Sequence, residues 1–333
     1  MVFTPRFAVT AAGRREVFAM KQPGMETVLR DYLKRSNIEE SSVEVLKRSV
    51  RWFIEMHGDI KPQDVTFSHV DDFRAWLRKG RSGSTANTYM AMIKGIFRWL
   101  RDRGDIRSNP FDGVKRYGTS AKNYDIYKPD EIRRVLRVAD LRWKTIVCLA
   151  LCSMRRAEIL NLHVSDIDFE RNEIRIIGKI KSPISWPWSI KNHNEALVGI
   201  NEMIAKMLIE LIEQLAGKQP YIVLKERYWK RNLEKQEAGT LTHALRNCPW
   251  GNFTRDFRSL LKRARVPAKR FHDLRRTFAN NIYQDGFSLI DLKYLMRHAS
   301  IQTTELYIKK IEERKLISQS GRTFRKYYET LVP

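Results

Sequence analysis

Four side chains within 271–308 have types and spacing suited to one reaction: His272, Arg275, His298 and Tyr307. A guanidinium and imidazoles can hold a phosphate whose negative charge grows in a transition state, and a tyrosine hydroxyl can attack its phosphorus. Such a set needs no carboxylate cluster, so neither a metal nor another cofactor is expected. Each piece alone has a plainer explanation: an HxxR pair is commonly an exposed helix pair, and a tyrosine near a C-terminus commonly packs. What favours chemistry is the set as a whole, carried by FHDLRRTFANNIYQDGFSLIDLKYLMRHASIQTTELYI with two amphipathic segments between its members.

A phosphate site implies a polyanionic partner, and the composition agrees. The chain carries 62 Lys and Arg against 38 Asp and Glu, a net charge of +24, which predicts nucleic acid first and an anionic membrane surface second. The membrane reading weakens because the longest apolar run, near 145–154, is shorter than the roughly 20 residues a spanning helix needs. No signal-peptide pattern is read in the first twenty residues, where Arg6, Arg14 and Arg15 are scattered and no apolar stretch stands, so a leader is not expected. Three cysteines are too few for a disulfide framework, and a reducing cytoplasm fits. Cys148 and Cys152 read as one face of a buried helix rather than a zinc site.

With 333 residues, 43% of them hydrophobic, the chain can fold as two domains. Residues 1–24 read as a basic arm, either touching a DNA backbone or simply a disordered terminus. Helical periods then follow: Val28, Leu29, Tyr32 and Leu33; Val43, Leu46, Val50 and Phe53 after a capping box of Ser41 and Glu44; Val70, Phe73 and Leu77; and Tyr89, Ile93, Ile96, Phe97 and Leu100. These make 25–111 an all-α domain whose basic residues Lys47, Arg48, Arg51, Lys94, Arg98 and Arg101 either straddle a duplex groove or are solvated faces. A polar linker is expected at 112–124, letting two domains close around a duplex.

The second domain opens at Pro129, at the first position of a helix. Its sheet signal is three segments, 173–177, 185–191 and 195–200, read as a small antiparallel sheet, and Asn201 caps a helix closed by Gly217. Residues 225–247 have no clear period and read as a long loop or insertion. The basic run 262–270 delivers the chain to His272, where backbone contact is the favoured reading. The fold class is therefore mainly α with two domains, an N-terminal helical one and a C-terminal α+β one.

HDLRRTFANNI followed by LMRHASIQTTELY resembles the second signature box of the tyrosine recombinase (phage integrase) family. The resemblance implies that His272 and Arg275 are active-site residues, that His298 fills the family's His/Trp position and that Tyr307 is the nucleophile. SMRRAEILNLHVSDIDFERNEIRI resembles the family's first box and places its catalytic arginine on Arg155, with Glu158 in support and Arg156 as backbone contact or surface charge. SGSTANTY, 82–89, is similar to the loop-to-helix entry of the family's core-binding domain. The family's hairpin lysine falls on Lys191, in WPWSIKNHNEALVGI, with Lys179 next and Lys181 a third candidate. Three positions depart from the family's pattern: Ser153 and Arg297 stand where glycine is usual, and Arg276 where histidine is frequent.

On this resemblance 125–307 is the catalytic domain, and the reaction is DNA cleavage and rejoining through a 3′-phosphotyrosyl link without metal or nucleotide. Double-stranded DNA is the partner, with a homo-oligomer on DNA and a tetramer in synapsis. The tail, 308–333, packs on a neighbouring protomer or in cis. Two other classes stay open: a type IB topoisomerase-like enzyme that relaxes DNA, and a non-catalytic DNA-binding regulator. Integrase, resolvase and transposase roles share these motifs.

Overall fold

The helical periods of the N-terminal stretch become α1 (Met25–Arg35), α2 (Glu40–His57), α3 (Phe67–Arg78) and α4 (Gly83–Asp102). A computed structural model describes residues 23–118, 125–190, 195–298, 300–302 and 304. The chain separates into two compact units, 1–121 and 122–333. In the first, Phe53, Phe73, Phe97 and Phe111 are buried together, each contributing about 1.5–3 kcal/mol by leaving water. Ser82 caps α4, its Oγ accepting from the Thr85 amide at 3.2 Å. The expected Ser41–Glu44 box does not form: the helix starts earlier, with Glu39 as its N-cap and Glu40 in its first turn, where the helix dipole favours carboxylates.

Much of the basic face of this unit is locally neutralised. Lys47 pairs with Glu44, Arg51 with Glu55, and Lys94 and Arg101 with Asp112. A cavity of about 320 Å³ gathers Arg74, Lys94, Arg98, Lys115 and Arg116.

The second unit is built on α5 (Pro129–Val138) and α6 (Leu141–Leu151), with Pro129 at the first turn and Asp140 capping α6 through the Trp143 amide. Residues Trp143 to Ala150 of α6 are buried nearly all round, apart from the half-buried Lys144, which makes α6 the central helix of the unit. After the short α7 (Arg156–Leu160) come three antiparallel strands in sequence order, β1 (Ile167–Asp168), β2 (Glu173–Ile176) and β3 (Ala196–Gly199). Ile174 sits opposite Ile167 on one side and Val198 on the other. The segment expected as a strand at 185–191 is not one among the described residues. It is held by isolated bridges, Lys179 to Trp188 and Ser182 to Ser185. Pro187, between the two tryptophans, has no amide to offer a ladder. Trp186 instead stacks on Tyr221 at 4.1 Å and donates to Asn161 at 3.0 Å.

Asn201 caps α8 (Glu202–Leu215) through the Ile204 amide at 3.0 Å. The region expected as a loop, 225–247, carries α9 (Glu226–Glu237) and α10 (His243–Asn247). Its period was hidden because the buried face of α9 includes Asn232, fully buried and donating to the Pro249 carbonyl at 3.0 Å, in place of an apolar residue. The unit continues with α11 (Phe253–Arg263), α12 (His272–Gln284) and α13 (Leu289–Leu295).

Candidate active site

Two helices converge to make the site. α12 packs against α6, which brings the start of α12, with His272 and Arg275, alongside the turn that follows α6 and carries Arg155. α12 also packs on α13 through Ala279, Leu292 and Met296, and the chain leaving α13 turns back at Arg297 to reach His298. Thr277 locks the first turn of α12, donating to the Asp273 carbonyl at 2.8 Å and accepting from the Tyr127 amide at 2.9 Å.

Arg155 is the N-cap of α7, and Glu158, three residues on, holds it twice. The Arg155 amide donates to one carboxylate oxygen and its guanidinium to the other, each at 2.7 Å. A second guanidinium nitrogen donates to the Arg297 carbonyl at 2.7 Å. Glu158 is almost wholly buried, and burial alone would raise its pKa. The charges of Arg297 and Arg155 outweigh that and hold the carboxyl below its usual range. Arg275 is fully buried and donates to the carbonyl of Met296, so its side chain is fixed from the end of α13.

The two imidazoles feel these guanidiniums. His298 is half-buried, with Nδ1 2.9 Å from the Thr304 hydroxyl. Burial first, then the charges of Arg275 and Arg155, push its pKa down to about 4. His272 is also lowered to about 4, by the protein packed around the ring and by Arg275 and Arg276. One edge of the residue remains exposed to solvent. Both rings are therefore neutral at pH 7 and able to accept a proton. Arg276 is paired with Asp273.

The structure thus brings together Arg155, His272, Arg275 and His298. Lys191 and Tyr307 lie outside the described residues, as do the arm at 1–22 and the tail from 305. Lys179 is described, and its ammonium is buried against both oxygens of Asp166 at 2.6 and 2.7 Å. Asp166 in turn accepts from the His163 amide at 2.8 Å. Sequence reasoning missed Asp166 as the partner of Lys179, and it missed the ion pair of Arg297 with Glu158 at 2.7 Å. The only signal for the second was that an arginine occupies a turn where glycine was expected.

Beside His272 a cavity of about 370 Å³ is lined by Arg156, Arg258, Lys269 and Arg270. Lys269 is paired with the buried Glu131, and Arg156 lies over the ring of Phe253 at 5.9 Å. The cavity is thus a concave, mainly basic wall with His272 at its edge.

Comparison with known proteins bears on the reaction. The chain is 24% identical over 298 residues to a tyrosine recombinase XerC of Roseiflexus castenholzii, covering 85% of this chain and 87% of that protein. It is 25% identical to a tyrosine recombinase XerC-like protein of Caldanaerobacter subterraneus, of whose length it spans 65%. Among solved structures, the integrase of transposon Tn1549 in complex with a circular intermediate DNA superposes with a TM-score of 0.65 at 17% identity, covering 86% of this chain and 95% of that one. A lambda integrase dimer bound to a COC′ core site superposes with a TM-score of 0.59 at 14% identity, covering 89% and 81%. The likeness to both is one of fold. The phage integrase family model matches residues 126–314, more than half of the sequence and the whole span from α5 past His298. On that match the chain belongs to the phage integrase family.

Proposed function

We propose that the protein is a site-specific DNA recombinase that cuts and rejoins strands through a 3′-phosphotyrosyl intermediate, without metal or nucleotide. The observation that carries this reading is the convergence of Arg155, Arg275, His272 and His298 on one place, with Tyr307 nine residues beyond His298 in sequence. Arg155 and Arg275 clamp the non-bridging oxygens of the scissile phosphate. The Tyr307 oxygen forms a bond to phosphorus as the bond to the 5′ oxygen breaks, and the tyrosine proton passes to the neutral His272. His298 donates a hydrogen bond to the phosphate. The departing 5′ oxygen takes its proton from Lys191, and rejoining runs the same steps backwards.

Lys191 is preferred to Lys179 because the Lys179 ammonium is buried and directs two of its three protons to Asp166. The protein acts on double-stranded DNA in the cytoplasm as a homo-oligomer, a tetramer in synapsis. The net charge of +24 and the basic wall beside His272 support the DNA partner. The dimeric and tetrameric lambda integrase complexes with a core site and a Holliday junction support the assembly. The test is incubation of the full chain, in EDTA, with a pool of randomised nicked duplexes. A covalent protein–DNA adduct that disappears in Tyr307→Phe is expected. Absence of any adduct, or an adduct unchanged in Tyr307→Phe, overturns the reading.

A further inference from the structure

The two positions at which this chain has a side chain in place of the family's usual glycine are in contact. Ser153 and Arg297, 144 residues apart in sequence, both adopt left-handed backbone, with φ of 67° and 50°. That conformation is the one glycine enters freely and other residues enter at a cost. Both turns thus carry side chains in a backbone conformation that favours glycine, and those side chains join them. Ser153 Oγ donates to the Leu295 carbonyl at 2.8 Å. The Arg297 guanidinium donates to the Ser153 carbonyl at 2.8 Å and to its Oγ at 3.3 Å. The same guanidinium reaches Glu158 Oε2 at 2.7 Å, while Arg155 holds Glu158 Oε1 and the Arg297 carbonyl. Arg155, Glu158 and Arg297 thus form a closed ring.

We infer that Arg297 is a positioning residue for strand cleavage: gripping Glu158 and Ser153 together, it fixes the aim of Arg155 and the turn that presents His298. This rests on the recombinase reading above. Arg155 itself meets both Glu158 oxygens, by its amide at Oε2 and its guanidinium at Oε1. Arg297 adds a second donor at Oε2 that ties this pair to the turn before His298 and restrains the aim of Arg155. Arg297 is a costly stabiliser, which argues for a role in aim rather than in stability. It sits in left-handed backbone, its charge is largely removed from water, and its Nε is buried with no hydrogen-bond partner. Glycine would relieve all three.

The experiment measures single-turnover cleavage and DNA affinity of the full-length protein on a nicked duplex selected from the randomised pool. Arg297→Gly is expected to lower the cleavage rate constant on the order of 10- to 100-fold, the scale of a small misplacement of catalytic groups. Affinity should stay within about threefold, since the loss falls on the transition state, and the thermal midpoint should not fall. Arg297→Lys reaches Glu158 but cannot also fork onto Ser153, so an intermediate rate is expected. Ser153→Ala, which removes only the hydroxyl contacts, should slow cleavage a few-fold and decides the matter together with Arg297→Lys if the glycine variant does not fold. Parental rates in Arg297→Gly, or in both of the other two, overturn the inference. So does a rate loss matched by equal losses of affinity and thermal midpoint. A parent that selects no duplex and forms no adduct instead overturns the recombinase reading itself.

Discussion

Two buried carboxylates in the second unit meet cations in opposite ways. Asp166 holds one ammonium, Lys179, with both oxygens, and both side chains are covered, at 2% and 6% exposure. Glu158 is as deeply buried, at 2%, but divides its oxygens between two guanidiniums, Arg155 and Arg297, of which Arg155 stays 24% exposed. The first arrangement is charge-balanced and closed. The second has one positive charge more than its carboxylate can cancel, and both imidazoles nearby are shifted downward by burial first and then by the guanidiniums. A balanced pair positions chain; a surplus positions an anion. On the proposed mechanism, two carboxylates that look alike in sequence belong one to the scaffold and one to the chemistry.

Removing the surplus site's carboxylate should have the largest effect. Glu158→Gln leaves two guanidiniums crowded together and should cost about 3–5 kcal/mol in urea unfolding, with cleavage lost in the molecules that remain folded. The closed pair should respond differently. In Lys179→Met/Asp166→Asn both charges go while the asparagine can still accept from the His163 amide, so stability should change by about 1 kcal/mol or less and cleavage should persist. Loss of cleavage there would make Lys179 the proton donor and break the comparison. Lys191→Ala should slow cleavage roughly 10²- to 10⁴-fold, the range of a lost general acid, and a 5′-thio leaving group, which needs no proton, should restore it. A failure of that rescue would remove Lys191 from its role.

The smallest effect concerns pH. His298 is depressed from 6.5 to about 4 on folding, so the unfolded chain binds more protons between those values, and folding stability must fall as pH drops from 6.5 toward 4. His298→Gln should flatten part of that decline in the thermal midpoint. An unchanged slope would mean that the ring does not sit in the positive field described.

What could be read from sequence divides along a physical line. α6 was legible because a run of apolar residues leaves few alternatives, and the Asn201 cap because it acts three residues away. α9 was not, because a buried asparagine and abundant charge erase its period. β1 is two residues long and gives no pattern at all. The types of Arg155, His272, Arg275 and His298 pointed to the site through local motifs. The partners that tune it did not: Ser153 to Arg297 and Lys179 to Asp166 are contacts made across the fold, and no local spacing encodes them.

The central claim is that the surplus of positive charge around Arg155, Arg275 and the two imidazoles is where a DNA phosphate sits. Nuclear magnetic resonance titration of the His272 and His298 rings in Tyr307→Phe protein, with and without bound nicked duplex, tests it most directly. A seated phosphate should offset the guanidinium charges and raise both pKa values from about 4 toward neutrality. Identical titration curves with and without the bound duplex would contradict the account.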